Sequence, residues 1–324
     1  MNEAVIQLKN LSKYFTVETN FWGKPTSVLK AVDNFTLDIF RGEAFGLVGE
    51  SGCGKSTVGK MIAGLYKPTN GNIIFGDGTD LAKLSQKDRR AYSKNIQLIF
   101  QDPYASLNPR MKVEEIIAEP LKLIGKTDKG EIYDRTKYLL ECVGLSDYHM
   151  DRYPHEFSGG QRQRIGIARA LAMNPDIIIC DEPVSALDVS VQAQVLNLLD
   201  DLKHEFSLTY LFIAHGLNVV KHISDRVGVM YMGQLVEYAE KHELYNNPQH
   251  PYTQALLSAI PSPNPHRKKE QILLQGEVTS PIDPPDKCRF CTRCFRKEEK
   301  CEQLSCPTWT EVSPGHFVSC HLFE

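Results

Sequence analysis

The stretch Gly49-Glu50-Ser51-Gly52-Cys53-Gly54-Lys55-Ser56 matches the pattern G-x-x-x-x-G-K-[ST] at every fixed position. It follows the apolar run Ala44-Phe45-Gly46-Leu47-Val48, which is typical of a buried parallel strand, and a helical segment comes after it. Glycines let the backbone fold around phosphate oxygens, so that several N–H groups and a helix N-terminus point at one anion. Lys55 adds a positive charge near the β- and γ-phosphates, and the hydroxyl of Ser56 can bind Mg²⁺. Residues 49–56, called the P-loop below, therefore predict a polyphosphate site.

A second apolar run, Ile177-Ile178-Ile179, leads through Cys180 into Asp181 and Glu182. In a protein with a P-loop, an acidic residue at the end of a buried strand can hold Mg²⁺, and this assigns Asp181 to the metal. Glu182 is then the candidate general base for an attacking water. Taken alone, an Asp-Glu pair is equally well a solvated strand end, and it is the P-loop upstream that favours the catalytic interpretation.

The hydrophobic pattern indicates strands that alternate with helices. Short apolar runs dominate the first 100 residues, and helical periodicity takes over from about residue 110 to 175. Apolar residues then keep one face of a helix over 191–206, and further strands are predicted at 211–213 and 227–230. This alternation predicts an α/β core over about residues 1–240. Residues 241–287 are expected to hold a short helix at 251–257 and a Pro-rich connector, and 288–324 a Cys-rich tail.

Composition excludes several classes of protein. The chain has 324 residues, a formal net charge of −3 and 42% hydrophobic residues, which is ordinary for a globular protein of about two domains. Disordered, collagen-like and strongly basic nucleic-acid-binding chains are therefore excluded. No apolar run reaches the length of a membrane-spanning helix, and the N-terminus lacks a secretory pattern. We therefore expect any link to a membrane to run through a partner.

The order of the motifs carries a resemblance to a known family. Ser158-Gly159-Gly160-Gln161 opens a helical run, and by itself Ser158 would be explained as a helix N-cap. However, the P-loop, Gln101, Ser158–Gln161, Asp181-Glu182, Ser185-Ala186-Leu187-Asp188 and His215 occur in the order of an ABC-type ATPase. Residues 1–240 therefore resemble that family over nearly their whole length. Phe157 and Gly216 stand where the family more often has Leu and an acidic residue.

The resemblance implies an ABC ATPase core with an antiparallel β subdomain, a helical signature subdomain at about 102–175 and a small Cys-rich C-terminal extension. It also implies ATP and Mg²⁺ as ligands, with Phe15 stacking on adenine. The residues that it places at ATP within one chain are Phe15, Gly49, Ser51, Gly52, Cys53, Gly54, Lys55, Ser56 and Thr57. At Mg²⁺ it places Ser56, Gln101 and Asp181.

The same resemblance implies catalytic residues and a dimer. Gln101 would reach Mg²⁺ and the attacking water, Glu182 would act as base, and His215 would contact the γ-phosphate. The signature residues Ser158, Gly159, Gly160 and Gln161 would cover the γ-phosphate of ATP bound to the opposite subunit. Asp188 would lie at the dimer seam, with an N-cap role for the following helix as the alternative.

Three further segments narrow the resemblance to one group of transporters. Residues 101–110, which contain Ser106-Leu107-Asn108-Pro109-Arg110, residues 156–164, and His250-Pro251-Tyr252 look like the nucleotide-binding subunits of bacterial dipeptide and oligopeptide importers. This implies a second ATPase subunit (self or paralogue), two transmembrane permease subunits, an extracytoplasmic peptide-binding protein and no nucleic acid as partners. It also implies a peripheral position at the cytoplasmic face of the cell membrane. A nickel or other solute importer of the same family, or a non-transport ABC ATPase, is the alternative.

Six of the nine cysteines lie in the last 37 residues, at positions 288, 291, 294, 301, 306 and 320. A reducing cytosol, where ATP is used, argues against disulfides. Zinc and a [4Fe–4S] cluster both require about four thiolates, and the residues alone leave these two alternatives near even. The family resemblance favours a [4Fe–4S] cluster on Cys288, Cys294, Cys301 and Cys320, with Cys291 and Cys306 as additional cysteines.

Overall fold

The structure is a computed structural model that describes residues 3–22, 24–125, 128–260, 270–276 and 280–324. Its strands are β1 (Ala4–Thr19), β2 (Pro25–Phe40), β3 (Ala44–Val48), β4 (Asn70–Phe75), β5 (Ile96–Ile99), β6 (Ile177–Asp181), β7 (Thr209–Ala214), β8 (Arg226–Tyr231), β9 (Gln234–Glu240), β10 (Trp309–Ser313) and β11 (His316–Ser319). Its α-helices are α1 (Lys55–Ile62), α2 (Gln86–Tyr92), α3 (Val113–Leu123), α4 (Lys129–Cys142), α5 (Gly159–Leu171), α6 (Val189–Phe206), α7 (Leu217–Ile223), α8 (Lys241–Asn246), α9 (Pro251–Ser258) and α10 (Lys300–Gln303).

The main sheet has eight strands in the order β10-β11-β9-β8-β3-β7-β6-β5. From β8 to β5 neighbouring strands are parallel, whereas β9, β11 and β10 add an antiparallel edge. Every residue of β3, β6 and β7 is buried, as expected for central strands that are covered on both faces. The predicted α/β core is therefore confirmed, and the structure shows that its main sheet is mixed.

Alternate residues of the central strands belong to two separate hydrophobic cores. In β7, Tyr210 and Phe212 pack with the helices α3 to α6 on one face of the sheet. Leu211 and Ile213 point to the other face, where they pack with helix α1 and the smaller sheet. This period of two is what a strand geometry requires, and it fixes the register of the sheet.

The smaller sheet is antiparallel, with the order β2-β1-β4. The short apolar runs of the first 100 residues predict only short strands, whereas β1 and β2 each have 16 residues and their pairing is interrupted by register shifts. The exposed outer half of this hairpin has little apolar alternation, so the hydrophobic pattern detected only its buried half.

The C-terminal region is built onto the cassette. Helix α9 begins at Pro251 and ends at Ser258, which confirms the predicted short helix. The tail contains the hairpin β10–β11, which extends the main sheet beside β9. This hairpin was not predicted from the sequence. Residues 261–269 and 277–279 of the expected connector lie outside the described residues. In the described ranges, no helix is both long enough and apolar enough to span a membrane.

Candidate nucleotide site

The P-loop connects β3 to α1, and two of its glycines are required by close backbone approaches. A Cβ on Gly49 would lie 2.1 Å from the carbonyl oxygen of Met230. Gly54 has a φ of 109°, and a Cβ there would lie 2.1 Å from the carbonyl oxygen of Ala31. Any side chain at either position would therefore push the loop away from β8 or β2.

Lys55, the first residue of α1, brings a positive charge to the P-loop. Its side chain is buried, and Nζ donates hydrogen bonds to the carbonyl oxygens of Gly49 (2.8 Å) and Glu50 (3.0 Å). The thiol of Cys53 lies 3.7 Å from the same nitrogen, and burial raises its pKa. Cys53 is therefore a neutral thiol that fills space, while the side chain of Lys55 is held at the loop.

An acidic turn at the end of β6 faces the P-loop. The hydroxyl of Ser56 donates to Oδ1 of Asp181 at 2.6 Å, and Asp181 and Glu182 are both 5% exposed. Glu182 has a φ of 50°, and its backbone N–H donates to the carbonyl of Ile213 in β7. The left-handed turn places the two neighbouring carboxylates at different positions of the site: Asp181 beside Ser56, and Glu182 at the cavity.

The three predicted catalytic residues form one cluster. Nε2 of Gln101, just after β5, donates to Oε2 of Glu182 at 2.6 Å. Nε2 of His215, just after β7, lies 2.5 Å from Oε1 of the same carboxylate. The carboxyl ends of three adjacent parallel strands, β5, β6 and β7, bring the three side chains together, because those ends meet at one edge of the sheet.

A cavity of about 370 Å³ opens over the P-loop and this cluster. The predicted residues that line it are Phe15, Ser51, Gly52, Gly54, Lys55, Ser56, Thr57, Gln101, Glu182 and His215. Asp181 reaches the site through Ser56, whereas Gly49 and Cys53 support the loop from beneath.

The cavity wall also contains residues that sequence reasoning missed. Phe15 packs edge-to-face against Tyr66, with ring centroids 5.6 Å apart, and Lys60 and Pro281 also line the cavity. The carbonyl oxygen of Pro281 accepts a hydrogen bond from the backbone N–H of Lys30, which attaches this part of the connector to β2. Tyr66 and Pro281 have no local pattern to mark them, since they reach the cavity through contacts with the distant residues Phe15 and Lys30. Lys60 lies about one helical turn after Ser56 in α1.

The signature residues are not part of the cavity. Ser158 caps α5: its hydroxyl accepts from the backbone N–H of Gln161 at 3.3 Å, and the Gln161 side chain accepts from the Ser158 N–H at 3.0 Å. Gly159, Gly160 and Asp188 also lie away from the cavity lining. Asp188 is exposed at the first residue before α6, and its side chain makes no capping hydrogen bond. One chain therefore contains the P-loop half of the expected site together with a separate, partly exposed signature segment.

The cysteines of the tail, for which a [4Fe–4S] cluster is expected with zinc as the alternative, do not form a recognisable metal site in the described residues. Within the described residues, no three His, Cys, Asp or Glu side chains are arranged to bind a metal ion. Burial raises the pKa of Cys288 to about 12, and Cys291, Cys320 and Cys301 add to that effect. Cys306 donates to the carbonyl of Lys287. The described residues therefore support neither the expected [4Fe–4S] cluster nor the zinc alternative.

Comparison with known proteins places the chain in a family. Residues 32–185 match the family model described as "ABC transporter", and residues 236–301 match that described as "Oligopeptide/dipeptide transporter, C-terminal region". The oligopeptide transport ATP-binding protein AppF of Bacillus subtilis (strain 168) is 52% identical, over 99% of this chain and 98% of that protein. OppF of the same organism is 50% identical over 99% and 97%, respectively.

Among solved structures, a dimeric bacterial ABC transporter cassette is similar with a TM-score of 0.65 and 30% identity, covering 73% of this chain and 98% of that one. A post-hydrolysis dimer of an ATP-binding cassette with ADP and Pi gives the same TM-score at 29% identity, with the same coverage. Together with the P-loop, the cluster around Glu182 and the nearly full-length identity, these matches show that the chain belongs to the family of ATP-binding subunits of oligopeptide ABC transporters.

Proposed function

We propose that this chain hydrolyses ATP to drive the import of di- or oligopeptides through a membrane permease. The observation that carries the proposal is the convergence of Gln101, Glu182 and His215 on one cavity with the P-loop. Peptide as the transported solute is supported by the names of the relatives, which are oligopeptide transport proteins, and by the match of residues 236–301.

The residues divide the work of hydrolysis between them. Lys55 and the N–H groups of the P-loop bind the phosphates, and Phe15 with Tyr66 offers an aromatic surface to adenine. Ser56 and Asp181 supply the oxygen ligands that Mg²⁺ prefers, and their side-chain oxygens already lie 2.6 Å apart. Bound there, Mg²⁺ would neutralise charge that develops on the phosphates.

Glu182 is the proposed general base. Gln101 and His215 hold its two carboxylate oxygens from opposite sides, so the carboxylate is oriented before a water molecule enters. When it accepts the proton of the attacking water, the carboxylate loses its negative charge, and both contacts are weakened. His215 can then reach the γ-phosphate, which is the role that the family resemblance implies.

We further propose that two subunits close around two ATP molecules. The position of Ser158, Gly159, Gly160, Gln161 and Asp188 outside the cavity supports this, because they can reach a phosphate only across an interface. Interactions made only in the closed state would draw the subunits together, and hydrolysis would remove them. The second ATPase subunit is a copy or a paralogue. The other proposed partners are two permease subunits and, through them, an extracytoplasmic peptide-binding protein, which puts the chain peripherally at the cytoplasmic face of the membrane.

We propose the same division of the chain as the sequence indicated. Residues 1–240 are the nucleotide-binding domain, with a helical subdomain at about 102–175 that transmits closure to the permease. Residues 241–287 hold α9 and the connector, and residues 288–324 form the Cys-rich extension. Helices α3, α4 and α5 contact one another, which supports the helical subdomain.

We also propose that Cys288, Cys294, Cys301 and Cys320 hold a [4Fe–4S] cluster. These thiols lie near enough to perturb one another's pKa values, yet no three in the described residues can bind a single ion. Iron, sulfide and a brown colour after anaerobic purification would support the cluster. Stoichiometric zinc without iron would overturn it, and Cys306→Ala is the control that should retain the iron.

Reconstitution tests the function as a whole. The chain, purified with the membrane proteins that it binds in mild detergent, is placed in proteoliposomes with ATP on its side of the membrane. Uptake of labelled di- and oligopeptides that depends on ATP and is lost in Glu182→Gln would support the proposal. Uptake of Ni²⁺ but not of peptides would contradict the peptide assignment.

A further inference from the structure

Glu50, the second residue of the P-loop, is bonded to two C-terminal segments of the chain. Its backbone N–H donates to the hydroxyl of Tyr252 in α9 at 3.0 Å. Its carboxylate accepts two hydrogen bonds from Arg293, at 2.9 and 3.1 Å. Its carbonyl oxygen accepts from Lys55 Nζ, so the residue that the C-terminal segments hold is also one that fixes the phosphate-binding lysine.

The side chain of Arg293 is largely buried and is held in place by neighbouring residues. It lies between Cys291 and Cys294 of the tail, and its side chain is 9% exposed. It donates to the hydroxyl of Tyr231 at 3.3 Å, and its backbone N–H donates to the carbonyl of Phe290. The ring of Phe290 packs against Tyr231 and Tyr252, with centroids 5.2 and 5.4 Å away. The two-point contact with Glu50 is therefore held in place and is not a mobile surface ion pair.

A second contact from the same tail segment reaches the other side of the loop. Arg289 donates to the carbonyl of Met232 and to Asp33. Gly233, which follows Met232 in the chain, donates its backbone N–H to the carbonyl oxygen of Cys53 at 2.8 Å. Residues 289–293 thus support the P-loop directly at Glu50 and indirectly at Cys53.

The negative charge of Glu50 is the reason why its contact with Arg293 affects ATP binding. Glu50 does not itself line the nucleotide cavity, but the next residues, Ser51 and Gly52, do, so its carboxylate belongs to the loop that binds the triphosphate. Like charges repel, and the repulsion is stronger in a partly buried site than in water. The guanidinium group of Arg293 neutralises that carboxylate and holds it on the tail side of the loop. Without it, ATP would approach an uncompensated negative charge on a loop that has lost one of its fixed points.

We propose that Arg293 is a positioning residue for ATP binding, which acts from the Cys-rich extension by neutralising and fixing Glu50 of the P-loop. The inference rests on the proposed ATPase function and deepens it. It assigns the extension a role at the nucleotide site that nothing in the motifs of the cassette indicates. It predicts that the effect of Arg293 on ATP depends on the charge of Glu50.

The test is a double-mutant cycle on the full chain, read by equilibrium binding of Mg-ATP and by steady-state hydrolysis. Arg293→Ala should raise the Kd and KM for ATP by about 5- to 20-fold, less than the direct loss of a close charge pair because Arg293 acts on ATP only through Glu50, while kcat changes less than about 2-fold. Glu50→Gln should bind ATP more tightly than the natural chain, since Arg293 is then an unpaired positive charge. Glu50→Gln/Arg293→Ala should return the Kd to within about 3-fold of the natural value.

Controls separate this proposal from the alternatives. Lys297→Ala breaks the exposed Lys297–Glu302 ion pair of the same tail and should leave the Kd unchanged. Arg293→Lys, which keeps the charge, should recover most of the affinity, and it also serves if the alanine variant does not fold. Unaltered ATP affinity in Arg293→Ala, or a loss of the same size in the double variant, would overturn the inference. Failure of the natural chain to bind ATP would instead overturn the proposed function.

Discussion

Nε2 of His215 lies 2.5 Å from Oε1 of Glu182, across the carboxyl ends of the adjacent strands β7 and β6. The contact holds the proposed base by a residue that is also expected to meet the γ-phosphate. The same imidazole is thus expected to contact both the base and the nucleotide.

Glu182→Gln should lower ATP turnover by about two or more orders of magnitude, because an amide cannot accept the proton of the attacking water. ATP affinity should stay near the natural value, since Lys55 and the P-loop are unchanged. Phosphate release and equilibrium ATP binding measure the two effects. Glu302→Gln, in the exposed tail pair, is the control, and hydrolysis at a near-normal rate in Glu182→Gln would remove that residue from the role.

His215→Ala should lower turnover by about 10- to 100-fold, less than loss of the base itself, because Gln101 still orients the carboxylate. His222→Ala is a matched control, as that histidine bonds to Asn197 away from the cavity. Single-turnover hydrolysis measures the change. Equal rates for His215→Ala and the natural chain would leave the contact with Glu182 without a catalytic purpose.

Ser158→Ala tests the proposed dimer. On the Glu182→Gln background, where ATP persists, we expect the subunits to associate when ATP is added and the Ser158→Ala change to abolish that association. Monomeric ATP binding should be unaffected, because Ser158 lies outside the cavity. Light scattering at several protein concentrations measures the oligomer. Since Ser158 also caps α5, thermal unfolding must accompany the assay, and a loss of about 1 kcal/mol of stability is expected from the cap alone.

Phe15→Ala should weaken ATP binding by about 5-fold or more, the size of a lost base–aromatic stacking contact. Affinity for inorganic triphosphate should not change, since that ligand has no base. Leu123→Ala, at a highly exposed position in α3, is the control. An equal loss for ATP and for triphosphate would mean that Phe15 supports the P-loop and does not contact adenine.

His316 predicts a pH-dependent contribution to stability. Burial lowers its pKa, but hydrogen bonds to Glu237 and Glu243 outweigh burial and raise the pKa above its ordinary value. A raised pKa in the folded state means stabilisation that is complete below about pH 6.5 and is lost as the pH rises through the folded pKa. His316→Asn should therefore lower the free energy of unfolding by about 2 kcal/mol at pH 6 and by less at pH 9.

Urea unfolding at the two pH values measures this difference, with His242→Asn as the exposed control. A cost that is the same at both pH values would show that His316 acts through packing alone. A larger cost at pH 9 would reverse the sign and contradict the assignment of a charged imidazole.

The site was predictable to the extent that its residues lie in local patterns. The P-loop, the acidic end of β6 and the helix at Pro251 each occupy a few consecutive residues, whose hydrophobicity and glycine content carry the signal. The cluster of Gln101, Glu182 and His215 could be predicted only after their motifs had been assigned to the ends of parallel strands. Tyr66 and Pro281 were missed, because their neighbours in sequence say nothing of the cavity that they line.

The amino-acid sequence alone determined the phosphate-binding chemistry, the α/β class and the family, since these depend on residue types at short, fixed spacings. Only the tertiary structure decided that the Cys-rich tail adds a hairpin to the main sheet and places Arg293 against Glu50 of the P-loop. The physical reason is that Glu50 and Arg293 are far apart in the sequence. An ion pair between residues 50 and 293 has no periodicity or spacing to mark it, and it exists because α9, β8 and the tail pack around one aromatic cluster.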